Sequence, residues 1–178
     1  MLTASSPSAI SLPSTLVLRL PMLAQEALSA LLQLGDLPVA RYERVVVMSN
    51  VAPDVVRRVL TLVGMNGSVR IMDARCTLAT LNRTVISTMG EIDGSDEVFY
   101  CEPSNLLSQQ ERYVLGKTLR EISIYTQARQ AHVSAKTIYS QRARALLKLG
   151  VPDILSLLRQ FVPLTQRGEM DCDFKRSE

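Results

Sequence analysis

One stretch of the chain, positions 134–149, combines the residue types that recognise nucleic acid. At about 100° per residue, a helix here gathers two cations and small or hydrogen-bonding groups on one side, namely Lys136, Tyr139, Ser140, Ala143 and Arg144. We expect no large aliphatic side chain there, and an opposite, apolar side formed by Ile138, Ala145 and Leu149. Cations suit DNA phosphates, and small polar groups suit base edges in the major groove. The spacing therefore predicts a helix that can lie against double-stranded DNA.

Helix-start signals surround this stretch. Ser108 followed by Glu111 forms a capping box, in which each side chain satisfies a backbone amide at the helix start. Ser134 is the N-cap candidate of the basic helix, and a short helix over about 124–131 precedes it. A Pro-Asp pair at 152–153 marks the start of one more helix. The order predicts an all-α, four-helix domain that contains a helix-turn-helix.

The charge of the chain is unevenly distributed. Residues 107–162 carry nine Lys and Arg against three acids, a net of +6. Residues 1–104 carry eight Arg against ten acids, a net of −2, so the overall +3 conceals the asymmetry. Positive charge concentrated on one small helical unit is typical of a DNA-binding domain. The competing interpretation is a solvated amphipathic helix whose basic side only faces water.

The motifs from Leu107 to Val151 resemble the DNA-binding domain of LuxR/FixJ-type bacterial transcription regulators. That family's pattern opens Leu-Thr-x-x-Glu-x-x-Val-Leu, continues Ile-Ser-x-Lys-Thr-Val-x-x-His and ends Leu-x-Lys-Leu-Gly-Val. The chain supplies it without a gap at Leu107, Ser108, Glu111, Val114, Leu115, Val133, Ser134, Lys136, Thr137, Ile138, Leu146, Lys148, Leu149, Gly150 and Val151.

The resemblance implies a DNA-binding set. Tyr139, Ser140 and Ala143 would contact base edges. Lys136, Thr137 and Arg144 would face the DNA backbone. The whole predicted set is Lys136, Thr137, Tyr139, Ser140, Gln141, Ala143, Arg144 and Lys148.

The chain departs from the family pattern at three places. Glu121 stands where the family usually has Gly, Thr126-Gln127 replaces the usual Glu-Ile, and Gln141 replaces a common His. The amide of Gln127 occupies a normally apolar site, which predicts altered packing of the scaffold helix. Region four of sigma factors shares the motif, but it usually follows long acidic helices, whereas here strands and helices alternate ahead of it.

An apolar stripe follows the basic helix at i, i+3, i+4 and i+7 spacing, formed by Ile154, Leu157, Leu158 and Phe161. In the resembling family, this last helix is where two DNA-binding domains meet. The stripe is therefore predicted to be a dimer seam, with internal packing of part of it as the open alternative.

The first half alternates strands and helices, which indicates a parallel sheet covered by helices. The predicted strands are Thr15–Leu20, Arg44–Ser49, Val69–Asp73 and Val98–Cys101, and the predicted helices are Met22–Leu34, Pro53–Val63 and Thr77–Met89. This order, ahead of a LuxR-type module, resembles a receiver domain. A receiver has about five such units, so the domain is expected to be a shortened α/β, receiver-like domain.

The chemistry of a phosphate-accepting receiver is missing from this half. Such a domain needs an acidic pair for Mg²⁺, an Asp nucleophile and a Lys, but residues 1–104 contain no lysine and no acidic pair follows the first strand. Asp73 is the one candidate acceptor, and a lone Asp after a strand more often caps a turn. His132 and three cysteines (Cys76, Cys101, Cys172) lack metal-ligand spacing. We expect a pseudo-receiver with no catalytic residue, no metal and no cofactor.

The sequence therefore predicts a regulatory domain over 1–102, a DNA-binding domain over 107–163 and a flexible tail over 164–178. We expect a bacterial transcription regulator controlled by partner binding or dimerisation, either as a homodimer or with another response-regulator-like protein. Its expected location is cytoplasmic, at the nucleoid, without membrane contact. The alternative is a protein-interaction module or anti-activator whose helix-turn-helix contacts another regulator.

Overall fold

The structure is a computed structural model that describes residues 14–36, 42, 44–65, 68–86 and 105–162. Strands and helices alternate first, followed by four helices. The elements are β1 Thr15–Arg19, α1 Ala24–Leu34, β2 Arg44–Ser49, α2 Pro53–Leu62, β3 Ser68–Asp73, α3 Leu78–Ile86, α4 Gln109–Leu119, α5 Ile124–Ala131, α6 Ala135–Lys148 and α7 Ile154–Gln160.

The sheet is parallel, with β2 between β1 and β3. Leu16 lies beside Val45 and Val45 beside Val69, so alternate positions of the three strands line one face. This face belongs to the same core cluster as the buried residues of α1 and α2, so both helices cover it. Valines suit β2 because the central strand is buried on both faces, with Val46 fully buried.

The three described strands lie in chain order, β1-β2-β3. A doubly wound sheet of the flavodoxin type has the order 2-1-3-4-5, and its ligand crevice forms where the order reverses. The described sheet has no such reversal, and thus no switch-point crevice. The expected fold class, an α/β domain with a short parallel sheet and covering helices followed by a four-helix domain, is confirmed. The likeness to a receiver lies in the alternation of strands and helices and not in the order of the described strands.

The two halves share one continuous core. Helix α1 contacts both α4 and α7, and one cluster of buried side chains joins Leu28 and Val59 to Leu115 and Phe161. Polar contacts add to this interface. The amide of Leu107 donates to the carbonyl of Leu62 at 2.7 Å, and Arg112 donates to the carboxylate of Asp36 at 2.7 Å and to the carbonyl of Gly35 at 3.3 Å. The helical half is therefore held against the sheet-bearing half.

The apolar stripe of α7 is largely used inside the chain. Leu157 and Phe161 are fully buried, and Ile154 and Leu158 are half-buried against the same core. Helix α7 contacts α1, and Arg58 of α2 donates a hydrogen bond to the side chain of Gln160. Two of the four residues predicted to form a dimer seam thus have no free surface in this conformation, because the sheet-bearing half already covers them.

Other predictions fall on different parts of the chain. The predicted strand 98–101, Cys101, Cys172 and the tail 164–178 lie outside the described residues. In the part of the chain that the structure describes, no helix is long and apolar enough to cross a membrane.

Candidate nucleic-acid interface

Serine caps begin three consecutive helices of the second half. Ser108 accepts from the amide of Glu111 while the Glu111 carboxylate accepts from the Ser108 amide at 2.8 Å, which is the predicted capping box. Ser123 caps α5, and Ser134 caps α6 by accepting from the amide of Thr137 at 3.1 Å. Each cap satisfies amides that helix starts leave unpaired, so these starts are fixed by local sequence.

The turn between α5 and α6 determines how the basic helix is presented. Helix α5 ends at Ala131 and is followed by His132, whose φ of 53° lies in the left-handed region. The amide of Val133 donates to the carbonyl of Ala128 at 3.0 Å, which closes a Schellman motif. Three residues, 132–134, therefore separate the two helices, as in a helix-turn-helix. The exposed His132 is a turn residue.

The predicted DNA-facing side of α6 is exposed along its length. We call Lys136, Tyr139, Ser140, Ala143 and Arg144 the outer face of α6; every one of them is exposed. The guanidinium of Arg144 donates to the Ser140 hydroxyl at 3.1 Å, and among the described residues Lys136 has no hydrogen-bond or ion-pair partner. These groups stay available to a ligand because the packing of the chain does not use them.

The opposite side of α6 anchors the helix. Ile138, Ala145 and Leu149 are each at most 1% exposed, and α6 contacts both α4 and α5 through this side. This inner face of α6 agrees with the apolar side expected from the sequence. Because the inner face is buried, the outer face is the side that α6 presents to solvent.

Lys148, one of the predicted DNA-binding residues, makes polar contacts inside the chain. Its ammonium group donates to the carboxylate of Glu111 at 2.8 Å and to the carbonyl of Leu106 at 2.7 Å. Burial by itself raises the pKa of Glu111, but the hydrogen bonds from Lys148 and the Ser108 amide outweigh it and hold this pKa below the ordinary value of 4.5. Lys148 therefore neutralises a buried capping carboxylate and ties the end of α6 to the start of α4.

Two further predicted residues lie at the edge of the outer face. The Thr137 hydroxyl lies 2.8 Å from that of Ser134, within the cap of α6, and its residue is half-buried. Gln141 donates to Gln110 of α4 at 3.2 Å, so its amide joins the two helices. Both side chains therefore make contacts that help to hold α6 in position.

The structure also places two residues near the outer face that the sequence analysis left out. The guanidinium carbon of Arg142 lies 5.2 Å from the centre of the Tyr139 ring, a cation–π contact. Leu147 is 78% exposed and lines a shallow concavity with Tyr139 and Ala143. The expectation that this side has no large aliphatic group is therefore wrong. Leu147 is eleven residues after Lys136, which at about 100° per residue places it on nearly the same side of the helix.

The departures from the family pattern have physical consequences in the structure. Glu121 follows α4 with a φ of 60°, a conformation that glycine adopts at lower cost. Gln127 is fully buried, and its amide donates to the Ile122 carbonyl at 2.8 Å, while its side-chain oxygen has no partner in the described structure. An amide thus replaces the apolar group usual at this site, as the sequence indicated.

Asp73 lies at the carboxyl edge of the sheet, beside a small concavity lined by Ser49, Asn50 and Arg75. Its carboxylate accepts from the amide of Arg75 at 2.7 Å, and the Ser49 hydroxyl accepts from the amide of Val51 at 3.0 Å. Both side chains therefore stabilise turns that leave the strands. Within the ranges that the structure describes, no three His, Cys, Asp or Glu side chains are grouped to hold a metal.

Comparisons with known proteins identify no family for this chain. No family model matches the chain, and no curated protein matches it. Among solved structures, the chain is similar to that of the two-component response regulator RcsB in complex with DNA, with 22% identity, a TM-score of 0.35, and coverage of 84% of this chain and 74% of that chain. A likeness of this size bears no weight for fold or function, which rest on the geometry of the chain itself.

Proposed function

We propose that the chain is a sequence-specific, double-stranded DNA-binding transcription regulator that acts in the bacterial cytoplasm by binding and not by catalysis. The observation that carries this proposal is the outer face of α6, whose five residues are all exposed on a helix anchored by its other side. Two cations and two hydroxyl groups on an accessible helix suit phosphates and base edges of a major groove.

Each group of the outer face has a role in this proposal. Lys136 and Arg144 are placed to contact phosphates, whereas Tyr139 and Ser140 supply hydrogen bonds to base edges. Ala143 offers only a methyl group. The net charge of +6 over residues 107–162 supports the proposal, because association with DNA is driven strongly by phosphate neutralisation.

We infer that regulation works through partner binding or dimerisation and not through phosphorylation. Residues 1–104 contain no lysine, and the carboxylate of Asp73 is already used in a turn. A dimer built on Leu157 and Phe161 first has to expose both side chains, because the chain buries them. Incubation with acetyl phosphate and Mg²⁺ should leave the mass of the protein unchanged; a stoichiometric phosphate on Asp73 would refute this inference.

The test of the DNA-binding proposal is selection from a random duplex library by the whole 178-residue chain, followed by sequencing of the bound fragments. A shared motif is expected. Ser140→Ala should change base preference at one or two positions of it, at a cost of roughly 1–3 kcal/mol on the preferred site. Enrichment of no motif, or a motif that Ser140→Ala and Tyr139→Ala both leave unaltered, would count against sequence readout by the outer face.

The alternative function is a protein-interaction module that binds another regulator. The exposed side chains of Leu147 and Tyr139, 78% and 48% exposed, favour it, because aromatic and aliphatic groups are common at protein interfaces. Under this alternative, any binding of the chain to duplex DNA shows no sequence preference. The library selection therefore distinguishes the two functions.

A further inference from the structure

Three exposed side chains form an apolar strip along the outer side of α6. Tyr139, Ala143 and Leu147 follow one another at i, i+4 and i+8, and all three line the same shallow concavity. Tyr139 is 48% exposed and Leu147 is 78% exposed. With a rise of about 1.5 Å per residue, the strip is about 12 Å long. This length corresponds to about three to four base-pair steps of 3.4 Å.

The chemistry of the strip restricts what it can recognise on DNA. Neither Ala143 nor Leu147 has a hydrogen-bonding group in its side chain. The one apolar group that a base pair presents in the major groove is the C5-methyl of thymine, whereas a G·C pair presents donors and acceptors. Arg142 lies against the ring of Tyr139 at 5.2 Å, which favours one orientation of that ring beside the strip.

We propose that Ala143, Leu147 and the ring of Tyr139, whose hydroxyl stays free to hydrogen-bond, read thymine methyl groups, so that α6 selects duplexes with thymines at consecutive or near-consecutive positions of one major groove. This inference rests on the proposed DNA-binding function. The cations Lys136 and Arg144 lie on the same side of the helix and hold the backbone, which brings the strip toward the base edges. The preferred duplexes are therefore distinguished by their thymine methyl groups more than by their hydrogen-bonding groups.

The experiment measures the affinity of the whole 178-residue chain for two forms of one duplex. The duplex enriched from the random library is synthesised with thymine or with uracil, which lacks only the C5-methyl group. Removing each contacted methyl should weaken binding about fourfold, the equivalent of roughly 0.8 kcal/mol per buried carbon. The dependence of affinity on salt should stay the same, because phosphate contacts are unchanged.

Variants connect the methyl effect to the strip. Leu147→Ala should weaken binding to the thymine duplex and have little effect on the uracil duplex. The control is Leu155→Ala on α7, which removes another exposed leucine, 66% exposed, and should change neither affinity. Because both leucines are exposed, both variants are expected to fold.

The outcomes separate this inference from the function on which it rests. Equal affinity for both duplexes, or a selected motif without thymine, would overturn methyl reading while leaving DNA binding intact. Equal weakening of both duplexes by Leu147→Ala would overturn it too, by assigning Leu147 to a contact other than thymine. Absence of any salt-dependent duplex binding would instead refute the proposed function and with it the role of the strip.

Discussion

Two lysines of α6 are used differently: Lys136 lies on the exposed outer face, and Lys148 lies at the end of the helix next to α4. Lys148 is bound to a buried carboxylate and to a backbone carbonyl, whereas Lys136, on the same helix, makes no such contact within the described structure. Composition alone does not distinguish these two lysines. The difference shows that a cation is a candidate for DNA contact when the fold does not already use its charge.

The carboxyl edge of the sheet supports the same lesson. Its polar residues, Ser49 and Asp73, lie where open α/β sheets commonly bind ligands, yet both side chains accept hydrogen bonds from nearby backbone amides. The outer face of α6 has fewer internal contacts and more exposure. These contacts support the proposal that the functional surface lies on α6 and not at the sheet edge.

The largest expected effect is on the free energy of unfolding, which should respond differently to substitution of Lys148 and of Lys136. Lys148→Ala leaves the Glu111 carboxylate buried without its cation and the Leu106 carbonyl without its donor, so the free energy of unfolding should fall by about 2–3 kcal/mol. Lys136→Ala should change it by less than about 0.5 kcal/mol, because the side chain is exposed. Urea unfolding at pH 7 measures both. Equal losses would show that Lys136 also supports the fold.

A smaller effect concerns the charge of Glu111. Its folded pKa lies below 4.5, so the ionised carboxylate stabilises the protein above that pH, and the stabilisation is lost as the pH falls through the folded pKa. Glu111→Gln keeps the shape of the capping box but removes the charge, which should cost about 1–2 kcal/mol at pH 7. The difference between wild type and Glu111→Gln in urea should shrink as the pH falls below 4.5; a constant difference would contradict the ion pair.

The smallest effect concerns the left-handed residues that end helices. Glu121→Gly should raise the free energy of unfolding by about 0.5–1 kcal/mol, because glycine adopts a φ of 60° without the side-chain penalty. Gly150 has a φ of 67°, which an alanine adopts only with strain, so Gly150→Ala should lower the free energy of unfolding by a similar amount. No steric clash adds to this loss, because the space where a Cβ would lie is open. Thermal unfolding measures this pair, and a loss of stability in Glu121→Gly would point to a side-chain role for Glu121.

Local signals predicted much of the fold. Helix α5 spans the predicted 124–131, β2 spans the predicted Arg44–Ser49, and the caps at Ser108 and Ser134 are both present. Such features depend on neighbouring residues, which the sequence shows directly. The outer face of α6 was predictable for the same reason, since helical spacing is a local property.

Contacts between distant segments were not predictable in this way. Lys148 matches the family pattern, but its partner Glu111 is 37 residues away, and only the packing of α6 on α4 brings the two together. The burial of Leu157 and Phe161 likewise depends on the other half of the chain. Leu147 differs from these residues, because its position on the outer side of α6 could have been predicted. It follows from the same helical projection that was applied to its neighbours.

The central claim, that the outer face of α6 contacts DNA and that Lys148 does not, is tested most directly by the salt dependence of duplex binding. The slope of log affinity against log salt is measured for the wild-type chain, Lys136→Ala and Lys148→Ala, at a temperature where all three are folded. Lys136→Ala should flatten the slope by about 0.9 per bound subunit, and Lys148→Ala should leave it unchanged. A slope flattened by Lys148→Ala and unaffected by Lys136→Ala would contradict the account.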